Sequence, residues 1–404
     1  MDNETLDPSL RDSFAWDTLR VILEGTSPLE LPAMAVTDRD EAREFLSHYG
    51  FDLGDGDDCR EVGQIHDEAV RFIRNYLLST HASTAGLEIP REVAEIAEPA
   101  ALADLLVMAS SPHWGVVGRW ACAVLRVMHT IHHANRAIHN ENLEEIRKQV
   151  LEPYRQCLQV DELGCPVLQR GSSRVPLEGV FFKEDKSRDS IILKLLHKPN
   201  NVAQDIYDWI GIQFVTRTPV DALLVTRFLR IHNLVTFANI VPGRSINNLL
   251  DLDEFRATFE ELRATYRDHH DVEELLLLER LSSDTRDFAK LEATVHTNPF
   301  SGAEYRSIQF TCRQLIKIPH PARRPLENML RALREHTRDD VVGPLLEKIE
   351  RIPIQKEIAF FFPYEIQILD YENYLKTRMG ESSHAAYKKR QLQAARRRVL
   401  QGLI

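Results

Sequence analysis

The chain lacks several things, and each absence removes a class of protein. No run of about eighteen or more apolar residues occurs, so no membrane-spanning helix is expected. The opening stretch from Met1 to Leu10 is acidic and polar, without the basic start and apolar segment of a secretory leader, which points to the cytoplasm. Cysteine is scarce: Cys59, Cys122, Cys157, Cys165 and Cys312 are scattered, and none forms a C-x-x-C pair. Cys157 and Cys165 are the closest two, with no second pair to complete a zinc site, so free thiols in a reducing compartment are expected. No internal repeat is visible. Positive charge is in the minority, and the formal net charge of −11 argues against general coating of nucleic acid, though not against a local basic site.

What is present is enough for two ordinary domains in 404 residues. Residues 1–170 read as a helical N-terminal domain. An acidic run, Asp52-Leu53-Gly54-Asp55-Gly56-Asp57-Asp58, has the look of a calcium loop. It lacks the closing glutamate, because Gly63 and Gln64 stand there, and a solvated turn is expected. Helices are expected over 67–78, 99–109 and 116–139. In the last, Val117, Trp120, Ala121, Val124, Val127, Met128 and Ile131 form one apolar stripe at steps of three and four. A further helix is expected from Asn140 or Asn142 to about Cys157.

His129 and His133 stand at i and i+4 on the longest helix, with His132, Arg136 and His139 nearby. The spacing can bind zinc, but no glutamate sits between them as in H-E-x-x-H. A polar helix face, or a face against RNA or another domain, fits better.

Near Gly164 the texture changes. Gly164, Pro166, Gly171, Ser172, Ser173 and Pro176 suit a connecting loop. Over 171–404, strand and helix patterns then alternate, with strands expected at 180–182, 210–216, 234–241, 305–318 and 358–369. Helices are expected at 190–197 and 220–232, with an inserted helical pair within 250–290 and a basic helix at the end. The fold class expected is α+β, a mixed sheet with helices packed on it.

Two carboxylates stand out by position. Asp208 lies at the entrance of an apolar strand and Glu365 lies inside another. An acid in an apolar strand is costly to bury and needs a cation, donors or a functional reason. If the two strands are neighbours, the acids can share one Mg²⁺, which favours one or two carboxylates plus substrate phosphates. That chemistry suits phosphoryl or pyrophosphoryl transfer.

Six segments, in order, carry a family resemblance. Lys186-Ser-Arg-Asp-Ser-Ile-Ile-Leu-Lys194 resembles the K-x-x-x-S-[IV]-x-x-K helix entry of RelA/SpoT-type synthetases. Asp208-Trp-Ile-Gly-Ile-Gln213 resembles their D-x-[LIV]-[GA]-[IV]-R strand, and Pro242-Gly-Arg244 their P-G-R turn. Tyr305-Arg-Ser-Ile308 resembles the Y-x-S-[LI]-H strand. Pro363-Tyr-Glu-Ile-Gln-Ile368 resembles the E-[IV]-Q-I strand, and Gly380-Glu-Ser-Ser-His-Ala-Ala-Tyr-Lys388 the segment that follows it. The resemblance spans roughly residues 175 to 390 and leaves the first 170 outside. Segments near 250–297 and 319–356 have no counterpart in it. Gln213 and Gln309 stand where the family has arginine and histidine, Glu184 where it has arginine, and Leu369 where it has arginine.

The resemblance implies a five-stranded mixed sheet of nucleotidyltransferase type and transfer of the β,γ-pyrophosphate of ATP to the 3′-hydroxyl of a guanosine nucleotide. Asp208 would hold Mg²⁺, and Glu365 would hold Mg²⁺ or take the hydroxyl proton. Tyr305 would stack on the acceptor base. Lys186, Lys194 and Arg244 would meet phosphates, with Arg188 replacing the arginine lost at 184. Gln367, His384 and Lys388 would line the same mouth. Alternative acceptors are an adenosine nucleotide or the 3′ end of tRNA, and a catalytically silent nucleotide- or RNA-binding regulator is the remaining alternative. His66-Asp67 is a bare HD dipeptide, without the other residues of the family's hydrolase domain, so no hydrolase activity is expected. The basic run Lys388, Lys389, Arg390, Arg396, Arg397 and Arg398 reads equally as an RNA contact or a solvated terminal helix.

Overall fold

The computed structural model describes residues 16–79, 84–96, 101–137, 142–183, 187–198, 208–265, 306–336, 357–378 and 384–404. The N-terminal part is helical: α1 (Trp16–Glu24), α2 (Arg39–Tyr49), α3 (Gly56–Phe72, prolonged by one wide turn at Ile73–Leu77), α4 (Ala101–Ser110) and α5 (Gly115–Ala137). The local chemistry accounts for their ends. Asp38 caps α2 by accepting from the backbone N–H of Asp40 and Glu41, and Gly50 ends it at φ +106°. The acidic run serves the same purpose: the Asp55 carboxylate accepts from the N–H of Asp57 and Asp58 to start α3. Asp52 turns the chain ahead of it by accepting from Gly54. The apolar stripe of α5 faces the core as its period requires, with Trp120, Ala121, Val124, Val127 and Ile131 all buried. Helices α4 and α5 approach so closely at Gly118 that a Cβ there would lie 2.6 Å from the Met108 carbonyl oxygen.

Helix α6 (Leu143–Arg155) leads into β1 (Leu158–Val160), β2 (Pro166–Arg170) and β3 (Ser173–Pro176), an antiparallel three-stranded sheet. The segment expected to be a connecting loop is therefore a meander. Its glycines mark the hairpin turns, Gly164 at φ +81° and Gly171 at φ +60°. The main sheet is built from β4 (Gly179–Lys183), β5 (Gly211–Thr216), β6 (Ile240–Asn247), β7 (Ile308–Pro319) and β8 (Glu357–Asp370), in the order β4-β5-β8-β7-β6. Only β5 and β8 run parallel. Between these strands lie α7 (Arg188–His197), α8 (Pro219–Ile231), α9 (Leu252–Thr265) and α10 (Arg323–His336). The chain closes with α11 (Tyr371–Arg378) and α12 (His384–Val399).

The mixed sheet of the α+β class is thus present, with one strand displaced. The strand expected at 234–241 begins only at Ile240. Leu234 and Val235 bury their side chains without joining the ladder. The Pro242-Gly-Arg244 segment lies inside β6 as an irregularity between Ile240 and Ser245, with Gly243 at φ +71°.

Two large hydrophobic cores and one small cluster (Ala134, Ile191 and Leu195) form among the described residues, and neither large core stops at residue 170. Ile146, Val150, Leu151 and Tyr154 of α6 pack with the main sheet, against Phe214, Tyr364, Ile366 and Ile368. Conversely, Ile192 and Leu196 of α7 and Ala395, Val399 and Leu400 at the C-terminus join the helical core of residues 29–131. The expected division at 170–171 falls in the turn between β2 and β3, and side chains from both sides of it interleave.

Strand alternation decides what the two faces of the main sheet do. Tyr364, Ile366 and Ile368 of β8, Ile212 and Phe214 of β5, and Phe310 and Cys312 of β7 enter the core. Glu365 and Gln367 of β8 therefore point to the other side. In register beside them are Gly211 and Gln213 of β5 and Thr311 and Gln309 of β7. Beyond β5, Lys183 and Phe181 of β4 share this second face.

Candidate functional site

The second face carries a row of polar groups across the middle of the sheet. Glu365 sits on the central strand β8, flanked by Gly211 and Thr311. Its Oε1 accepts a hydrogen bond from Gln309 Nε2 at 2.5 Å. One pleat further on, Gln367 Oε1 accepts from Gln213 Nε2 at 2.7 Å and from Lys183 Nζ at 3.2 Å. Gln213 and Gln309, the two glutamines standing where the resemblance expects arginine and histidine, thus tie the strands together at this level.

Asp208 reaches the row from the segment preceding β5. Its Oδ1 pairs with Lys194 Nζ at 2.5 Å, and both side chains are mostly buried. Glu365 retains some open surface, but its carboxyl lies deep enough for burial to push its pKa above the ordinary glutamate value. The negative charge of Asp208 pushes in the same direction. Lys183, Lys194 and the Gln309 hydrogen bond oppose the rise. The repulsion between the acids is the physical sign that they have been brought to one place.

Lys198 closes the group from the end of α7. Burial lowers its pKa first, the like charges of Lys194 and Arg244 lower it further, and Asp208 and Glu365 pull it back up. Four cationic side chains are therefore gathered about two carboxylates: Lys183, Lys194 and Lys198 act on Glu365 directly, and Arg244 joins them through its effect on Lys198. With all of them ionised, the group carries two more positive than negative charges, a field suited to a polyanion.

Five of the residues singled out in the sequence meet here: Asp208, Lys194, Arg244, Glu365 and Gln367. Arg188 is engaged elsewhere. Its guanidinium grips both carboxylate oxygens of Glu68 on α3 and also bonds Asn135 on α5. Lys388 is exposed on α12, and His384 opens that helix. Lys186 and Tyr305 lie outside the described residues. Lys183, Lys198, Gln213 and Gln309 are members that the sequence reading did not pick. Lys198 carried a usable signal, since it stands four residues after Lys194, at the residue that ends α7. The others depend on strand register.

Part of the basic C-terminal helix is committed internally. Arg396 is buried and donates from Nε to the Leu77 carbonyl at 2.7 Å. Arg398 Nη1 donates to the carbonyls of Leu196 at 3.2 Å and Lys198 at 2.9 Å, at the C-terminal end of α7. These two arginines are fold contacts rather than an open RNA surface, while Lys388, Lys389 and Arg397 remain exposed.

The histidines of α5 form a half-buried aromatic cluster under α2. Tyr49 Oη lies 2.7 Å from His129 Nδ1, the His129 and His133 rings are 4.3 Å apart, and His132 packs on Phe51 at 4.8 Å. Burial, reinforced by the neighbouring imidazoles, pushes the His129 pKa down to about 4. His66 is buried and bonded to the Val93 carbonyl. Among the described residues no group of three or more His, Cys, Asp or Glu side chains is placed to hold a metal ion, and no helix is long and apolar enough to cross a membrane.

Comparison with known proteins gave no match to any family model, to any curated protein or to any solved structure.

Proposed function

We propose that the chain is a magnesium-dependent nucleotide pyrophosphokinase, moving pyrophosphate from ATP to the 3′-hydroxyl of a guanosine nucleotide or a related acceptor. The observation that carries this reading is that Asp208, paired with Lys194, lies within electrostatic reach of Glu365 among an excess of cationic side chains. Two acids held together at such cost need a reason, and a cation bearing a polyphosphate supplies one. The donor set fits Mg²⁺. Two carboxylates alone are too few to enclose an ion, and magnesium commonly completes its shell with water and substrate phosphates. Bound there, it neutralises the charge of the transferring group.

The side chains of the chain have separable tasks in this reading. Lys183, Lys194, Lys198 and Arg244 bind the phosphates. Asp208, released in part from Lys194, holds the metal. Glu365 accepts the proton of the attacking hydroxyl at Oε1 or Oε2. A carboxyl with a raised pKa is a better base near neutral pH than an ordinary one. Gln309 keeps Glu365 aimed by donating to Oε1.

The test is transfer of label from γ-labelled ATP, with Mg²⁺, to GDP, GTP, adenosine nucleotides or tRNA. Asp208→Ala and Glu365→Ala should each lower the rate by at least about a hundredfold, the scale of a lost electrostatic or acid–base contribution. Full activity in either variant refutes the site. A second reading, a nucleotide- or RNA-binding regulator without catalysis, is favoured by Gln213 and Gln309, which satisfy the strand face with neutral groups. Nucleotide binding without transfer to any acceptor supports it.

A further inference from the structure

The polar row ends, on the β4 side, in stacked aromatic rings that the preceding mechanism does not use. Phe181 lies two residues from Lys183 on the same face of β4, about 7 Å along the strand. Its ring stacks on Tyr374 of α11, with centroids 5.4 Å apart and planes 11° from parallel. Tyr371 continues the stack, 6.3 Å from Tyr374, and the Arg378 guanidinium lies 5.1 Å from the Tyr374 ring centroid. Phe181 is 37% exposed and Tyr371 46%, so the residues at both ends of this ladder remain in part accessible to solvent. The edge of the Phe181 ring leans towards Gly179, where a Cβ would come within 3.1 Å of Cε2. A side chain at 179 would thus displace the ring.

We infer that Phe181, supported by Tyr374, is the base platform of the nucleotide whose phosphates lie among Lys183, Lys194 and Lys198. This rests on the proposed reading of the site and deepens it. A nucleotide is an anion joined to a flat π-system, and this face presents a cationic field and an exposed ring on adjacent same-face positions of one strand. Lys183 is the hinge between the two, since it belongs to the phosphate field and bonds Gln367 on the central strand. Stacking of this kind is tolerant of base identity, so the platform binds purine nucleotides through ring area rather than through base-edge hydrogen bonds. The identity of the base must then be read elsewhere.

The experiment measures binding to the full chain by calorimetry, with Mg²⁺, of two probes: an α,β-methylene ATP analogue, in which the bond broken on pyrophosphate transfer is blocked, and inorganic tripolyphosphate. The wild type should bind the analogue more tightly than tripolyphosphate. Phe181→Ala should weaken the analogue by roughly 5- to 100-fold, the range of a lost base-stacking contact, and leave tripolyphosphate within twofold. Phe181→Trp should keep analogue binding, which separates stacking from damage to the fold. If Phe181→Ala binds the analogue as well as the wild type does, or if tripolyphosphate weakens in parallel, the platform is wrong while the phosphate field stands. If the wild type binds neither probe, the platform and the proposed function both fall.

Discussion

The contact between Arg188 and Glu68 makes the sharpest prediction about how the N-terminal helices serve the site. Helix α7 carries Lys194 and leads directly to Lys198, yet its apolar side, Ile192 and Leu196, belongs to the helical core. Its first residue is clamped to α3 by the two-pronged Arg188–Glu68 pair, and the next, Asp189, accepts a hydrogen bond from Tyr76 Oη at 2.6 Å. Glu68→Gln keeps the shape and removes the charge. A hydrogen bond to a charged group contributes about 1.5–3 kcal/mol when well buried. Here the Arg188 and Glu68 side chains keep 38% and 24% of their surface. Solvent screening reduces the expected loss to about 1–2 kcal/mol. Asn135 remains as a partner of Arg188 and limits the damage. In a double-mutant cycle with Arg188→Met, measured by urea unfolding, the coupling should be about 1 kcal/mol. Hydrogen exchange of the α7 amides should quicken in each single variant. Loosening α7 also displaces the lysines, and misplacement by about 1 Å can lower a rate by up to a hundredfold. Under the proposed function, transfer should fall about ten- to a hundredfold with every site residue intact. Additivity within about 0.3 kcal/mol, together with unchanged exchange in α7, would refute the clamp.

Glu365 should titrate above the ordinary glutamate range in a carboxyl-labelled NMR experiment. Asp208→Asn should bring it down and Lys183→Met should push it up, because the first removes a like charge and the second an opposite one; a Glu365 that ignores both changes is not in this charge cluster. His129 supplies an acid lability with a defined sign. Its folded pKa of about 4 lies below the unfolded value of about 6.5, so the unfolded chain binds the proton first as pH falls. Stability should drop by up to roughly 3 kcal/mol between pH 6.5 and 4 from this residue, and His129→Gln should flatten that part of the stability–pH curve. Gly118→Ala should destabilise the helical part by about 1–3 kcal/mol, since the new methyl meets the fixed Met108 carbonyl rather than a movable side chain; thermal melting at or above the wild-type temperature would contradict the close α4–α5 approach.

Much of the architecture was readable because it depends on local chemistry. The stripe on α5 has a helical period, and its burial follows from that period. Residues 211–216 and 358–369 are apolar and β-branched enough to declare strands. The meander at 158–176 was not readable, because its three strands are short and rich in turn residues; pairing between them, not propensity, makes them strands. Leu234 and Val235 show the converse. They have strand composition but lie outside the ladder, with their side chains in the core.

The candidate site divides along the same line. Asp208 and Glu365 drew notice in the sequence because a carboxylate beside or inside an apolar strand has an energetic cost that must be met. That cost is a property of the residue and its neighbours in the chain. Which groups meet it is decided by the fold alone. Lys183, Gln213 and Gln309 enter the row through strand register, which side chains separated by 56 to 184 residues cannot announce. Arg188 and Lys194 lie in one short helix and have similar charge. Yet the turn of that helix sends one guanidinium to Glu68 and one ammonium to Asp208. Sequence by itself determined where charge would be costly; only the packing of α7 on the helical core and the register of the main sheet determined which cations would stand beside it.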